Sequence, residues 1–108
     1  MTAKNHEETK LQNAIRLELS RAGIVIRNNV GTFLTVYGVP IVIGVPGMAD
    51  LTLFSRGGKA IFIEVKTRSG RLSAAQKQFR DRVSELGFEY IVIRSVEEAE
   101  KLCSRLAK

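Results

Sequence analysis

The sequence predicts an α/β fold in which a mixed β-sheet is flanked by α-helices. In three segments of the chain, apolar residues recur at the three- and four-residue spacing of an amphipathic helix. Runs rich in Val and Ile, of strand length and bounded by turn residues, lie between those segments. The chain has 108 residues, 44% of them hydrophobic, which is enough for one core. We therefore expect a single domain over residues 1–108.

The first half of the chain predicts one helix, one strand and an irregular β segment. The helical pattern covers residues 7–22, and Gly23 is expected to end that helix. A short β-branched run follows at residues 24–26. Residues 32–45 are rich in Val, Ile and Thr but punctuated by glycine and proline, so we expect irregular β structure or a β-arm there.

The second half of the chain alternates strands with helices. The predicted order is a strand over 50–55, a strand over 60–66, a helix over 73–86, a strand over 89–94 and a helix over 95–106. Ser73 with Gln76, and Ser95 with Glu98, have the spacing of capping boxes, and each pair opens one of the two helices. Gly87 is expected to close the first of them.

Charge indicates the class of partner. Lysine and arginine outnumber aspartate and glutamate by 17 to 11, which gives a net charge of +6 and an isoelectric point near 9.9. A small domain this basic favours a polyanionic partner such as a nucleic acid. Aromatic residues make up only 6% of the chain and tryptophan is absent, which argues against a base-stacking platform for single strands.

Composition also excludes several kinds of protein. The first ten residues are polar and no apolar run approaches the ~20 residues that cross a bilayer, so we expect a cytoplasmic protein that does not contact a membrane. Cys103 is the single cysteine, which fits a reducing compartment, and we interpret it as a small core or rim residue. Neither 57–58 nor 44–47 has the context of a phosphate-binding glycine loop, so no organic cofactor is expected.

The strand over 60–66 carries two charges inside an apolar run. Because side chains alternate between the two faces of a strand, Ile61 and Ile63 share the core face with Val65. Glu64 and Lys66 then share the opposite face. An isolated Glu-x-Lys tripeptide is usually an edge strand with solvated ends, so this pair needs a second observation to indicate a site.

Asp50, at the start of the neighbouring strand, supplies that observation. An odd, three-residue loop over 56–58 would pair Ser55 with Lys59 and hence Asp50 with Glu64 on one face. A two-residue glycine turn would place the two carboxylates on opposite faces. Gly58 suits the left-handed position of a three-residue loop, so we predict the odd loop and a shared site.

Two adjacent carboxylates favour a hard cation. They repel each other unless positive charge lies between them, and oxygen ligands without histidine or cysteine suit Mg²⁺ or Mn²⁺. His6 is the only histidine, which leaves zinc and a Ser-His-Asp triad poorly supported. In metal-assisted phosphodiester hydrolysis, Asp50 and Glu64 would be the ligands. Lys66 would orient the attacking water or stabilise charge on the phosphate.

These residues resemble the PD-(D/E)XK nucleases, whose motif Asp50, Glu64 and Lys66 match. Four linked motifs are more specific and resemble the VRR-NUC (virus-type replication-repair nuclease) family in its small stand-alone form. They are Glu8 to Gln12, Gly47 to Asp50, Ile63 to Thr67 and Gly70 to Gln76. The match covers nearly the whole chain, and residues 32–45 are its least anchored part. Ala49 stands where the family has a proline, which implies a changed turn stiffness.

The resemblance implies a restriction-endonuclease-like core, catalysis with Mg²⁺ or Mn²⁺, and action on branched or flapped DNA. It makes Glu8 a further acidic group that holds a metal or its water, with Glu7 as the neighbouring alternative. Without it, Glu8 is a carboxylate favourably placed at a helix N-terminus. Val65 would offer its backbone carbonyl to the metal.

Gln76 has two interpretations. As part of a capping box it bonds back to Ser73, whereas the family pattern directs it into the catalytic site. Ser73 is mainly a cap, and it also lies among the residues expected to contact DNA. Arg68 and Arg71 lie just beyond Lys66, so we expect them to contact phosphate rather than form only a solvated loop.

Together these features predict a metal-dependent, structure-selective DNA endonuclease of the Holliday-junction resolvase type, with Lys77 extending its DNA-binding surface. Two matched cuts in a four-way junction favour a two-fold homodimer, and residues 32–45 are the expected interface. A viral replication or repair role is implied by the resemblance alone. The alternative is a non-catalytic DNA-binding module that keeps the nuclease fold.

Overall fold

The structure, a computed structural model, describes residues 6–108. The first five residues of the polar segment that argued against a secretory signal lie outside the described residues. Within 6–108 the elements run α1 His6–Leu19, β1 Gly23–Arg27, β2 Gly31–Leu34, β3 Pro40–Ile43, β4 Leu51–Ser55, β5 Lys59–Val65, α2 Ala74–Glu85, β6 Glu89–Ile93 and α3 Val96–Leu106.

Four strands form the main sheet, in the order β1-β4-β5-β6. β1 pairs antiparallel with β4, β4 antiparallel with β5, and β5 parallel with β6. The parallel pair requires a crossover connection, which α2 supplies. The predicted mixed sheet flanked by helices is therefore confirmed.

The core lies between one face of this sheet and the helices α1 and α3. Ile61, Ile63 and Val65 on β5 are at most 1% exposed, as their alternation predicted. They pack with Ile15 of α1 and Leu102 of α3. Burying an aliphatic side chain of this size contributes roughly 1.5–3 kcal/mol relative to leaving it exposed. The core therefore fixes which face of β5 is left for Glu64 and Lys66.

On the opposite face of the sheet, α2 covers the half formed by β5 and β6. The ring of Phe62 on β5 meets Phe79 of α2 edge to face at 5.3 Å, and Phe88 at 5.7 Å. Phe79 also lies 6.3 Å from the ring of Tyr90 on β6. These rings anchor the middle of α2 on β5 and β6, and its first turn then lies beside the end of β5.

Residues 31–43 form the predicted β-arm, and it is a regular hairpin rather than an irregular segment. β2 and β3 pair antiparallel from Gly31↔Ile43 to Leu34↔Pro40 and make a separate two-stranded sheet. The arm's apolar side chains are exposed, Val36 by 94% and Val42 by 79%. The radius of gyration is 14.5 Å, against about 13 Å for a compact domain of this length, which agrees with a projecting arm.

The predicted end of the first helix is wrong. α1 ends at Leu19, and the Ser20 hydroxyl donates to the Leu17 carbonyl at 2.6 Å while the chain turns. Gly23 begins β1 instead of closing the helix. A Cβ at this position would overlap the carbonyl oxygen of Phe54 on the paired strand. Gly23 is thus required by the close approach of two strands. In the sequence, such a glycine looks the same as one that ends a helix.

The two predicted capping boxes differ in the structure. At α2 both reciprocal bonds between Ser73 and Gln76 are present, and Gly87 follows the helix at a φ of 97°. At α3 the Ser95 hydroxyl accepts from the Glu98 amide, but Glu98 accepts from the Arg94 amide rather than from Ser95. The second pair is therefore an N-cap with a displaced carboxylate. In the part of the chain that the structure describes, no helix is long and apolar enough to span a membrane.

Candidate functional site

The β4–β5 hairpin brings the two predicted carboxylates together. Ser55 pairs with Lys59 across the three-residue loop, and the ladder runs back to Leu51↔Ile63. One further step places Asp50 opposite Glu64. Gly57 and Gly58 both have left-handed φ values, 80° and 71°, which the loop requires. The predicted odd loop is confirmed.

Glu64 is a charged side chain in a buried position. Its side chain is 2% exposed, so the alternative that Glu64 is a solvated residue at the end of an edge strand is wrong. Its Oε2 atom accepts a hydrogen bond from Gln76 Nε2 at 3.1 Å and lies 3.6 Å from Lys66 Nζ. A buried carboxylate requires such partners, because desolvation without them costs several kcal/mol by order of magnitude.

Gln76 forms the predicted capping box and also contacts Glu64 of the candidate site. Its side-chain Oε1 accepts from the Ser73 backbone N–H at 2.8 Å, while the Gln76 backbone N–H donates to Ser73 Oγ at 3.2 Å. Its Nε2 faces the other way and donates to Glu64. The capping box therefore fixes the orientation of the amide group that holds the buried carboxylate.

Asp50 is held by backbone groups and by a residue that the sequence did not single out. Its Oδ2 accepts from the Val65 amide at 2.9 Å. Asn28 Nδ2 donates to the Ala49 carbonyl at 3.0 Å and to Thr52 Oγ1 at 2.9 Å, and the Asn28 amide donates to the Asp50 carbonyl. Asn28 thus fastens the segment on both sides of Asp50 to the end of β1.

Lys66 continues the pairing of β5 with β6 beyond the ladder. Its amide donates to the Ile93 carbonyl at 3.2 Å. Its side chain is 15% exposed and lies on the face that carries Glu64. The site therefore combines two carboxylates with one ammonium group where the central strands β4 and β5 begin and end, an arrangement that can bind a cation and an anionic oxygen side by side.

Tyr90 is a further titratable group near the acidic pair. It stands opposite Phe62 in the β5–β6 register, and its hydroxyl oxygen is buried without a hydrogen-bond partner in the described residues. Burial raises the pKa of Tyr90 well above its usual range, and the charges of Glu64 and Asp50 raise it further. Nothing in the sequence of β6 predicted that Tyr90 lies near Glu64 and Asp50.

The loop between β5 and α2 is fastened by Arg94. Its Nη1 donates to the Thr67 carbonyl at 2.7 Å and to the Gly70 carbonyl at 2.6 Å. This shapes the loop that presents Arg68 and Arg71, which are exposed and form no ion pair within residues 6–108. Ser73 and Lys77 are exposed on the adjoining start of α2. The predicted DNA-binding residues therefore lie side by side.

Glu8 lies half-buried in the first turn of α1. One turn later, Gln12 lines a cavity that Asp50 also lines. Among the residues that the structure describes, no three His, Cys, Asp or Glu side chains are grouped as a metal-binding set. The structure thus brings Asp50 and Glu64 together and leaves Glu8 outside a three-carboxylate cluster. The Val65 carbonyl remains a prediction.

Cys103 packs where the sequence placed it. It is half-buried on α3 against the core, and its Sγ donates to the Glu18 carbonyl at 3.4 Å. Burial raises the pKa of the Cys103 thiol. A thiol that resists ionisation is a poor nucleophile. Cys103 also lies on α3, on the opposite side of the sheet from α2.

Comparison with known proteins places this geometry in a family. The model of the VRR-NUC domain family matches residues 43–97, just over half of the chain and the part that holds Asp50, Glu64 and Lys66. A solved structure described as a VRR_NUC domain shares the fold at a TM-score of 0.67, with 20% identity over 93% of this chain and 97% of the other.

A second solved structure is the small subunit of the heterodimeric restriction endonuclease R.BspD6I. It is 20% identical over 83% of this chain and 50% of the other, at a TM-score of 0.41. No curated protein matches the sequence. The family match and the site it contains lead to one conclusion: the chain belongs to the VRR-NUC family of nuclease domains.

Proposed function

We propose that the protein is a structure-selective DNA endonuclease that hydrolyses phosphodiester bonds with Mg²⁺ or Mn²⁺. One observation carries this proposal: Glu64, 2% exposed, is held by Gln76 and Lys66 while facing Asp50 across the hairpin. Keeping a carboxylate buried beside a second one costs stability, and proteins retain such arrangements mainly at functional sites. The family match supports a nuclease rather than another use of the acidic pair.

The residues present fit a hard divalent cation. Mg²⁺ keeps several waters and usually takes only one or two protein carboxylates, which agrees with a pair rather than a cluster of three. Asp50 and Glu64 would hold the ion with the Val65 carbonyl, and Glu8 would hold its water. When bound, the ion would lower the pKa of a water molecule and neutralise charge on the phosphate.

The other side chains of the site would orient and neutralise. Gln76 keeps Glu64 in one orientation through the bond at 3.1 Å. Lys66 would stabilise negative charge on the reacting phosphate or orient the attacking water, which its ammonium group, 3.6 Å from Glu64, supports. A strand end with a purely structural role would need neither contact.

Exposed residues beyond β5, three basic ones and a serine, would bind the DNA backbone. Arg68, Arg71, Ser73 and Lys77 lie on one loop and the helix turn that follows it. Phosphate contacts of this kind orient the duplex without reading sequence. Affinity should therefore fall steeply with salt, with a slope of about −0.9 for each phosphate neutralised.

We further propose that the protein is a homodimer that resolves four-way junctions. Residues 28–49 contain no charged residue in a chain that is 26% charged, and the arm within them exposes Leu34, Val36 and Val42. An uncharged apolar arm fits a protein interface better than a DNA contact. Two copies related by a two-fold axis would present two cutting sites to a symmetric junction. Light scattering that finds a stable monomer at micromolar concentration would contradict this.

The test is cleavage of labelled junction, flap, duplex and single-stranded DNA in Mg²⁺ or Mn²⁺. Wild type is compared with Asp50→Asn and Glu64→Gln, which keep side-chain shape, and with Asp81→Asn as a control carboxylate that is 70% exposed. We expect paired cuts in the junction that only the first two variants abolish. Cuts in flaps alone would remove the resolvase proposal. No cleavage of any substrate would favour the non-catalytic DNA-binding module.

A further inference from the structure

A cavity of about 240 Å³ opens beside Asp50, between α1, the end of β1 and the base of the arm. It has room for about eight water molecules at roughly 30 Å³ each, so a phosphate group with part of a sugar fits. Asp50 lies on one wall, and Gln12, Arg27 and Asn29 contribute polar groups. Phe33 provides an aromatic wall. Apart from Asp50, none of these residues has a role in the site described so far.

Two of the donors in this cavity, Gln12 and Arg27, bond to no other side chain of the described residues. Gln12 is 3% exposed, and within residues 6–108 its side-chain amide takes part in no hydrogen bond. Arg27 is exposed, and its guanidinium forms no ion pair in the described part of the chain. Buried polar groups in native proteins are nearly always hydrogen-bonded. Gln12 lines a cavity that an arginine also lines, and the small part of its surface that stays accessible is open to a ligand there, so the cavity suits a polar ligand.

Asn28 shows that hydrogen-bond donors around this cavity do find partners within the protein where partners are in reach. It lies next to Arg27 in sequence and also lines the cavity, yet both of its side-chain hydrogen bonds go to Ala49 and Thr52. Those bonds fix the segment just after β1, between Arg27, the last residue of the strand, and Asn29. The cavity thus has a rigid frame with donors left over, which is what a preorganised ligand site requires.

The ligand chemistry follows from the charges. An arginine with amide donors suits a phosphate oxygen, and the acidic wall at Asp50 belongs to the centre where the scissile phosphate would react. We propose that this cavity binds the backbone phosphate next to the scissile one, with Arg27 as its principal contact and Gln12 and Asn29 donating hydrogen bonds. This rests on the proposed nuclease function and names a second phosphate site for the same strand.

The test measures DNA binding by fluorescence anisotropy in Ca²⁺, another cation with oxygen ligands, and cleavage in Mg²⁺. A junction is made in versions that each carry one neutral methylphosphonate linkage near the branch point. Arg27→Ala is compared with wild type, with Arg27→Lys, and with Arg56→Ala in the distant β4–β5 loop as a matched loss of one arginine. Thermal melting of each variant identifies any loss of fold.

One linkage should lower wild-type affinity about tenfold, the effect of one charge-assisted hydrogen bond, and should no longer affect Arg27→Ala. The salt slope of Arg27→Ala should fall by about 1, while Arg56→Ala behaves as wild type and Arg27→Lys recovers the slope. Equal losses for Arg27→Ala and wild type at every linkage would overturn the inference, even if wild type cuts DNA. The expected binding pattern without any cleavage would support the phosphate site and refute the nuclease.

Discussion

Gln76 Nε2 lies 3.1 Å from Glu64 Oε2, while Oε1 of the same amide accepts the Ser73 backbone N–H at 2.8 Å. One side chain thus completes the cap of α2 and holds the buried carboxylate of the candidate site. The helix start and the strand end are joined through a group that cannot turn without breaking one of the two bonds. Helix stability and site geometry are therefore coupled at this point.

Substitutions at the two ends of the capping box should separate these roles. Ser73→Ala removes the acceptor of the Gln76 backbone N–H and should lower the free energy of unfolding by about 1 kcal/mol. The side chain of Gln76 stays bonded to Glu64. Gln76→Ala removes a cap bond and also the donor to a buried carboxylate, which should cost about 1.5–3 kcal/mol more. Urea denaturation measures both.

Cleavage assays on the same pair test the positioning role. We expect Gln76→Ala to lower single-turnover cleavage at least tenfold and Ser73→Ala to change it much less. Equal losses of cleavage in the two variants would mean that the helix cap, not the bond to Glu64, controls the site.

The ion pair between Lys66 and Glu64, at 3.6 Å, should stabilise the fold mainly when no metal is bound. Lys66→Met keeps the length of the side chain but leaves Glu64 buried with less compensation, which should cost about 2 kcal/mol. A bound Mg²⁺ ion would supply the missing positive charge, so the loss should shrink as Mg²⁺ is added. Urea denaturation with and without Mg²⁺ measures this, and Lys77→Met, an exposed lysine on α2, is the control. A loss that Mg²⁺ does not change would argue against cation binding beside Glu64.

Local pattern was sufficient to predict the hairpin that carries the acidic pair. Glycines in the left-handed region and strict alternation on β5 fix a register, because both act over a few neighbouring residues. The family resemblance added the expectation that Asp50 and Glu64 belong to one nuclease motif. The β-arm was predicted for similar reasons, although its regular pairing was not.

Contacts between distant parts of the chain could not be predicted. Asn28 bonds to Ala49 and Thr52 across more than twenty residues, and Arg94 reaches back to Thr67 and Gly70 over a similar span. No spacing rule relates residues that far apart, because their proximity follows from sheet order. Gly23 was misassigned for a related reason: the atom that an added Cβ would meet is the backbone oxygen of Phe54, on the paired strand β4.

Gly47 should be essential for placing Asp50. Its φ is +77°, and a Cβ there would overlap the Ala75 carbonyl at the start of α2. Gly47→Ala should therefore combine left-handed strain of about 1 kcal/mol with overpacking of about 1–3 kcal/mol, and should lower cleavage. Gly38→Ala is the matched control, because Gly38 has a φ of +78° and no atom within 4 Å of an added Cβ. Equal melting temperatures for the two variants would show that the contact with Ala75 is not tight.

Tyr90 should make the stability of the metal-free protein fall at alkaline pH. Its pKa is raised above the ordinary value of 10.0 by burial and then by the charges of Glu64 and Asp50. Above about pH 10 the unfolded chain would lose this proton while the folded chain keeps it, so the free energy of unfolding decreases as pH rises. The contribution is fully present below pH 10 and is lost as pH rises towards the folded pKa.

Tyr90→Phe tests this because it keeps the ring beside Phe79 and removes only the hydroxyl. At neutral pH its stability should equal or exceed that of wild type, since a buried hydroxyl without a described partner is removed. Between pH 9 and 11.5 the wild type should lose stability relative to the variant, as measured by urea denaturation in EDTA. Parallel curves over that range would show that the hydroxyl ionises as readily in the folded chain as in the unfolded one, and would place it in water rather than against the acidic pair.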